Sequence, residues 1–180
     1  MTRIKTAVLA LALPAILAGA AVASAAQPAG GKIWLFVSGN GFNHQKVVVA
    51  GAVGDYGSGA SVDASGKPNQ NGNFEKLNLH KGSVLIDATK FNAAGNNPRP
   101  IVMSNSTCTA VFTWSAPVTI VSGTGAYSGV TGSMNVKGTF AGVAPRFKSG
   151  PRKGQCEPGN SVQPLALYVS ITGTGNVKFS

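Results

Sequence analysis

The stretch from Thr119 to Ala141, TIVSGTGAYSGVTGSMNVKGTFA, constrains the fold of this chain more than any other. Val118, Ile120 and Ser122 share one face of a first extended segment, with Thr119 and Val121 on the other. Met134, Val136, Gly138 and Phe140 share one face of a second, while Asn135, Lys137 and Thr139 point the opposite way. A period of two sorts these residues and a helical period does not, so two β-strands are expected. Between them lie Gly123, Gly125, Gly129 and Gly132. Glycines at this density suit tight turns and bulges, where positive φ and close backbone approach are needed, and would weaken a helix at every position. Tyr127 is the one large side chain in the crossing and is expected to plug the end of a core.

The same alternation recurs along the chain. In Lys32 to Ser38, Trp34 and Phe36 share one face, and Ile33, Leu35 and Val37 the other. Both faces are apolar, which suits a closed sheet that also meets a neighbouring subunit or a lid. Gln45 to Val53 is a valine-rich strand after a Gly39-Asn40-Gly41 turn. Asp55 to Asn73 is polar and glycine-rich and reads mostly as loop, with a short edge strand around Ala60 to Ala64. Phe74 to Leu79 and Ser83 to Lys90 alternate again, and Phe91 to Pro100 reads as loop from its asparagines, glycine and prolines. Ile101 to Met103 is a brief pairing segment, and Thr107 to Trp114 a strong strand with Cys108, Ala110, Phe112 and Trp114 on one face. Gly142 to Ser161 is a long polar loop, followed by strands at Leu165 to Ile171 and Gly173 to Phe179. No segment offers a helix of about twelve residues with an apolar stripe. The expected fold is all-β: a single antiparallel closed β-barrel of about eight strands, since closure removes exposed edges. A two-sheet sandwich is the alternative.

Residues 1–25 read as a secretory signal peptide. Arg3 and Lys5 precede an apolar run from Val8 to Val22, and Ala23-Ser24-Ala25 is a small-residue cleavage site. Residues 26–31 are expected to be a flexible N-terminus and residues 32–180 the barrel domain. After cleavage no transmembrane segment is expected, and the site of action is extracellular or at the cell envelope. The sequence carries fifteen Lys or Arg against five Asp or Glu, a formal charge of +10. Such a basic protein favours acidic partners. Secretion, and the lack of a basic-aromatic surface or zinc finger, make nucleic acid an unexpected one. Cys108 and Cys156 are an even pair in an oxidising compartment, so one disulfide is expected.

The segment Gly123-Thr124-Gly125-Ala126-Tyr127-Ser128-Gly129-Val130-Thr131-Gly132 resembles the G-T-G-x-[YF]-x-G-x-x-G stretch of the allene oxide cyclase-like and dirigent-like barrels, above all the small secreted actinobacterial members. The flanking strands, the segment Gly72 to Val84, and the placement of Cys108 and Cys156 are similar too. The resemblance implies an eight-stranded antiparallel barrel with a cavity. It also makes a homo-oligomer possible, several plant members being trimers. In the plant enzymes, polar and acidic residues inside the barrel guide a reactive oxylipin or bind a phenoxy intermediate. No recognisable set of those positions recurs here.

Among residues that carry chemistry, Asp87 is the candidate catalytic acid, because it lies mid-strand in SVLIDATKF. Its other reading is a surface carboxylate paired with Lys76 or Lys90. Glu75, at a strand start, and Asp55, in a loop, rank below it. His44 and His80 lie far apart and have no further ligands of suitable spacing, so neither a metal nor another cofactor is expected. No serine sits in a nucleophile elbow, and the glycine segment lacks the ending of a phosphate loop. Trp34, Phe36, Phe112, Trp114 and Tyr127 are candidate lining for an apolar or aromatic ligand. Arg146, Lys148, Arg152 and Lys153, in a loop broken by Pro145, Gly150 and Pro151, are candidates for contact with an anionic envelope polymer or lipid surface. The function expected first is therefore a secreted non-catalytic barrel that binds a small apolar ligand or acts at the envelope. A cyclase-like or dirigent-like isomerase comes second, and a structural or protein-contact module third.

Overall fold

The computed structural model describes residues 29–39, 45–97, 101–157 and 162–180. The signal peptide, residues 26–28, His44 and the Asn40-Gly41 turn fall outside these residues. The strands are β1 (Gly31–Gly39), β2 (Gln45–Gly51), β3 (Asp55–Val62), β4 (Phe74–Leu79), β5 (Gly82–Asp87), β6 (Ile101–Ser104), β7 (Thr109–Gly125), β8 (Val130–Val143) and β9 (Ala166–Phe179). One helix, α1 (Thr89–Asn96), lies between β5 and β6.

β1 to β5 form an antiparallel meander, β5 pairs with β7, β7 with β8, β8 with β9, and β9 returns to β1. This is a closed, antiparallel eight-stranded barrel, the architecture that the alternation led one to expect. The ninth strand, β6, pairs only with the first residues of β7 and stands outside the ring. Alternation decides which side chains enter. Ile33, Leu35 and Val37 of β1 are buried, with Val47 and Val49 of β2, Leu77 and Leu79 of β4, Val84 and Ile86 of β5, Val118 and Ile120 of β7, and Met134 and Val136 of β8. Each such side chain contributes about 1.5–3 kcal/mol when fully removed from water.

Four features depart from the linear reading. Asp55 to Val62 forms one continuous strand where mostly loop was expected. Its glycines look like breakers in sequence, but a Cβ at Gly57 would strike the backbone of Asn78 on β4, so the strand needs a glycine for close approach. The two C-terminal strands are a single one, β9, because Gly173 likewise sits in the ladder, facing Val136 and Leu35. Thr109 to Gly125 is also one strand, running straight through Pro117. On one side Pro117 opposes Asn135 of β8. On the other it lies between the residues paired with β6, ending at Phe112, and those paired with β5, beginning at Thr119. Its missing N–H therefore costs no ladder bond on that side. Finally, residues 89–96 are the helix α1 rather than a loop. Asparagine and glycine are poor helix formers. Burial of Phe91, whose ring lies 5.2 Å from that of Trp114, holds the turn nonetheless.

β7, β8 and β9 extend past one end of the ring, and β6 widens this extension. Cys108, at its edge, is joined to Cys156 with an S–S distance of 2.09 Å. The bridge closes a separation of 48 residues, restricting the unfolded chain by about 4 kcal/mol on a loop-entropy argument. No helix among the described residues is long and apolar enough to cross a membrane.

Candidate binding cavity

The two ends of the barrel are built differently. At one end Tyr127, in the turn between β7 and β8, is fully buried. Its hydroxyl donates to Asp55 Oδ2 at 2.5 Å, and the Lys81 N–H donates to the same oxygen at 2.9 Å. The Tyr56 N–H donates to Asp55 Oδ1 at 2.9 Å. Burial acts to raise the Asp55 pKa, but the bonds from Tyr127, Lys81 and Tyr56, with the Lys81 charge, prevail and hold it below the usual value. Burial, then the bond and negative charge of Asp55, push the Tyr127 hydroxyl up. Only about 10 Å³ of free space remains among Val84, Ile120, Val130, Met134 and Val177, so this end is sealed.

The opposite end opens into a cavity of about 580 Å³. Its floor is aliphatic: Leu35, Val37, Leu77, Ile86, Val118 and Val136. Its side is aromatic. Phe112 stacks on Phe140 with centroids 4.5 Å apart, and Trp114 leans on both Phe112, at 5.7 Å, and Phe91. A Cβ at Gly138 would run into the Trp114 ring, so this glycine on β8 is what lets the indole lie flat against the wall. The mouth is edged by amides, including Gln70, Asn71, Asn73, Asn92 and Asn96. Asn92 Nδ2 donates to the Gly72 carbonyl at 3.3 Å, and the Ala88 N–H to the Asn73 carbonyl at 2.8 Å. These bonds tie α1 to the loop between β3 and β4 across the mouth.

Glu75, at the start of β4, is the only ionisable residue among the described residues lining the cavity. Register sets it beside Ser61 on β3 and Ile86 on β5. Ser61 Oγ donates to Glu75 Oε2 at 3.1 Å. Glu75 Oε1 is shielded from water and has no hydrogen-bond partner among the described residues. It lies against Gly59 beside Gln45 Oε1; a Cβ at position 59 would come within 2.9 Å of one oxygen and 2.8 Å of the other. Burial pushes the Glu75 carboxyl up to about 7, and the single bond from Ser61 offsets this only in part. A carboxyl poised there exchanges its proton near neutrality. The second buried orphan, Trp114 Nε1, also belongs to a lining residue.

The residues singled out from sequence divide sharply. Phe112 and Trp114 line the cavity. Trp34 and Phe36 do not: they project from the outer face of β1, 37% and 49% exposed, because β1 turns Ile33, Leu35 and Val37 inward. Tyr127 is at the sealed end, engaged with Asp55, and is not part of the cavity. Asp87 is not a lining residue either, although Ile86 and Ala88 on either side of it are. The Thr89 hydroxyl and its N–H, which reaches Asp87 Oδ1 at 2.9 Å, hold the Asp87 carboxyl below its usual range, with help from Lys90. The best-placed acid is therefore Glu75, ranked low in sequence because it opens its strand. The available signal was its i+2 relation to Leu77 and Leu79, which puts all three on one face.

Arg146, Lys148, Arg152 and Lys153 are all exposed on the loop after β8. Arg146 is spent on structure, donating to the carbonyls of Gly154 at 2.6 Å and Ser106 at 2.5 Å. The Arg152 guanidinium lies 4.1 Å over the Phe147 ring. His80 stacks on Tyr56 outside the barrel with centroids 5.9 Å apart, and no group of three or more metal-ligating side chains occurs among the described residues. In comparisons with family models, with curated proteins and with solved structures, nothing matches this chain.

Proposed function

We propose that this chain is an exported binding protein that holds a small apolar or aromatic molecule in the open end of its barrel. The observation that carries this reading is the cavity of about 580 Å³, with an aliphatic floor, an aromatic side and a polar mouth. That volume lies in the range of small-molecule sites, and few polar groups among many apolar ones is their usual composition. The free space also weighs against a purely structural barrel, which would fill its own interior. The disulfide is compatible with export. The exposed Lys148, Arg152 and Lys153 would favour anionic surroundings, an attraction that about 150 mM salt screens heavily.

The test is binding of the neutral fluorophore N-phenyl-1-naphthylamine to the mature protein. Saturable enhancement is expected, with loss of at least about tenfold in affinity in Ile171→Trp, which fills the cavity from a half-buried position. No saturable binding, or equal binding by the filled variant, sinks the reading. A second reading, an isomerase or cyclase like those of the allene oxide cyclase-like and dirigent-like barrels, draws support from Glu75, whose carboxyl near 7 suits proton transfer.

A further inference from the structure

We infer that the cavity selects an organic cation, an apolar or aromatic molecule bearing one ammonium group, with Glu75 as the residue that recognises it. This rests on the binding reading above and deepens it. Three observations point the same way. The chain carries fifteen Lys or Arg, yet no lysine or arginine is among the described residues that line the cavity. The single ionisable side chain among the described residues that line it is an acid. The side walls are the rings of Phe91, Phe112, Trp114 and Phe140, whose faces attract cations and whose edges accept the rest of an apolar ligand. A site for a carboxylate ligand would need the opposite arrangement.

One oxygen of the carboxyl also has no donor among the described residues. Its neighbours across the wall are Ser61 and Gly59 on β3, Gln45 on β2 and Ile86 on β5, none of them titratable. Ser61 gives Oε2 one neutral hydrogen bond. An ammonium would add a charge-assisted bond, roughly twice as strong as a neutral one, and would supply a counter-charge that the described residues of the wall lack. Binding would leave Glu75 as the carboxylate and the ligand as the ammonium, so the fraction of Glu75 protonated beforehand releases its proton to solvent. A neutral alcohol of the same shape would satisfy the bond without the charge.

The experiment compares 4-phenylbutylamine, 4-phenylbutanol and 4-phenylbutyrate by calorimetry on the mature protein at pH 6.5. The amine is expected to bind at least about tenfold more tightly than the alcohol, and the acid most weakly. Repeating the amine titration in two buffers of different ionisation enthalpy should show proton release. Glu75→Gln should abolish both the amine preference and the proton release. Equal affinities for amine and alcohol, or an amine preference kept intact in Glu75→Gln, overturn the inference. If Glu75→Gln does not fold, the ligand ranking and the proton release in the unaltered protein decide it. Failure of the neutral fluorophore alone strikes the general binding reading, whereas failure of the amine ranking with the fluorophore bound strikes only this one.

Discussion

The sealed and open ends of the barrel each hold one buried acid, and the two are treated in opposite ways. Asp55 at the sealed end accepts three hydrogen bonds, from Tyr127, Lys81 and Tyr56, and its pKa lies below the ordinary value. Glu75 at the open end accepts one, from Ser61, and its pKa rises to about 7. Asp55 does not line the open cavity, while Glu75 borders its volume of about 580 Å³. Burial and hydrogen-bond partners together decide whether a carboxyl inside a protein is a structural anion or a group ready to exchange a proton. A satisfied acid stabilises its end of the fold. An under-satisfied one is a cost that a ligand can relieve.

The largest expected effect follows from removing the satisfied acid. Asp55→Ala leaves the Tyr127 hydroxyl and the Lys81 and Tyr56 N–H groups without their acceptor, and should destabilise the mature protein by about 3–5 kcal/mol in urea unfolding. A loss below about 1 kcal/mol would mean that the sealed end does not depend on this cluster.

Next comes the pH dependence of Glu75. Its pKa in the folded protein is raised from 4.5 to about 7, so the native state holds the proton more tightly than the unfolded chain does. Stability should therefore fall as pH rises from about 4.5 to about 7, by up to about 3 kcal/mol if the full shift is realised. Glu75→Gln should flatten this limb, making the variant more stable than the parent at pH 8 and little different at pH 4. Asp55 works the other way: its lowered pKa gives stability that is present above about 3.8 and lost as pH falls below it. Parallel curves for parent and Glu75→Gln across this window would break the comparison.

The smallest effect, and the finest test, deletes one hydroxyl at each end. Tyr127→Phe should cost about 1–3 kcal/mol, because a buried charged acceptor loses its shortest bond. Ser61→Ala should cost about 1 kcal/mol or less, since Glu75 can take up a proton instead, and should move the Glu75 titration higher. Equal costs at the two ends would show that the acids are held alike after all.

Much of the fold was legible because alternation reports directly on a wall with one wet and one dry face. Val118, Ile120, Met134 and Val136 are buried as their spacing required, and Trp34 and Phe36 share a face, as read. What alternation cannot give is which face is inner when both are apolar, and this is why Trp34 and Phe36 were counted with the ligand candidates. Glycine misled in a consistent direction. Gly57 and Gly173 resemble breaks in a linear reading, yet they are continuous strand where a neighbour comes too close for a side chain.

The strand periodicity, the hairpin around Tyr127 and the disulfide pair follow from the sequence alone, since each depends on neighbours in the chain or on a count of two. Only the tertiary structure decided that Asp87 lies outside the cavity and Glu75 in its wall, that Asp55 meets Tyr127 across 72 residues, and that Phe91 caps Trp114 from a helix. The reason is physical: a carboxyl's character is set by the desolvation and the donors around it, and those come from strands and loops brought together by closure of the barrel.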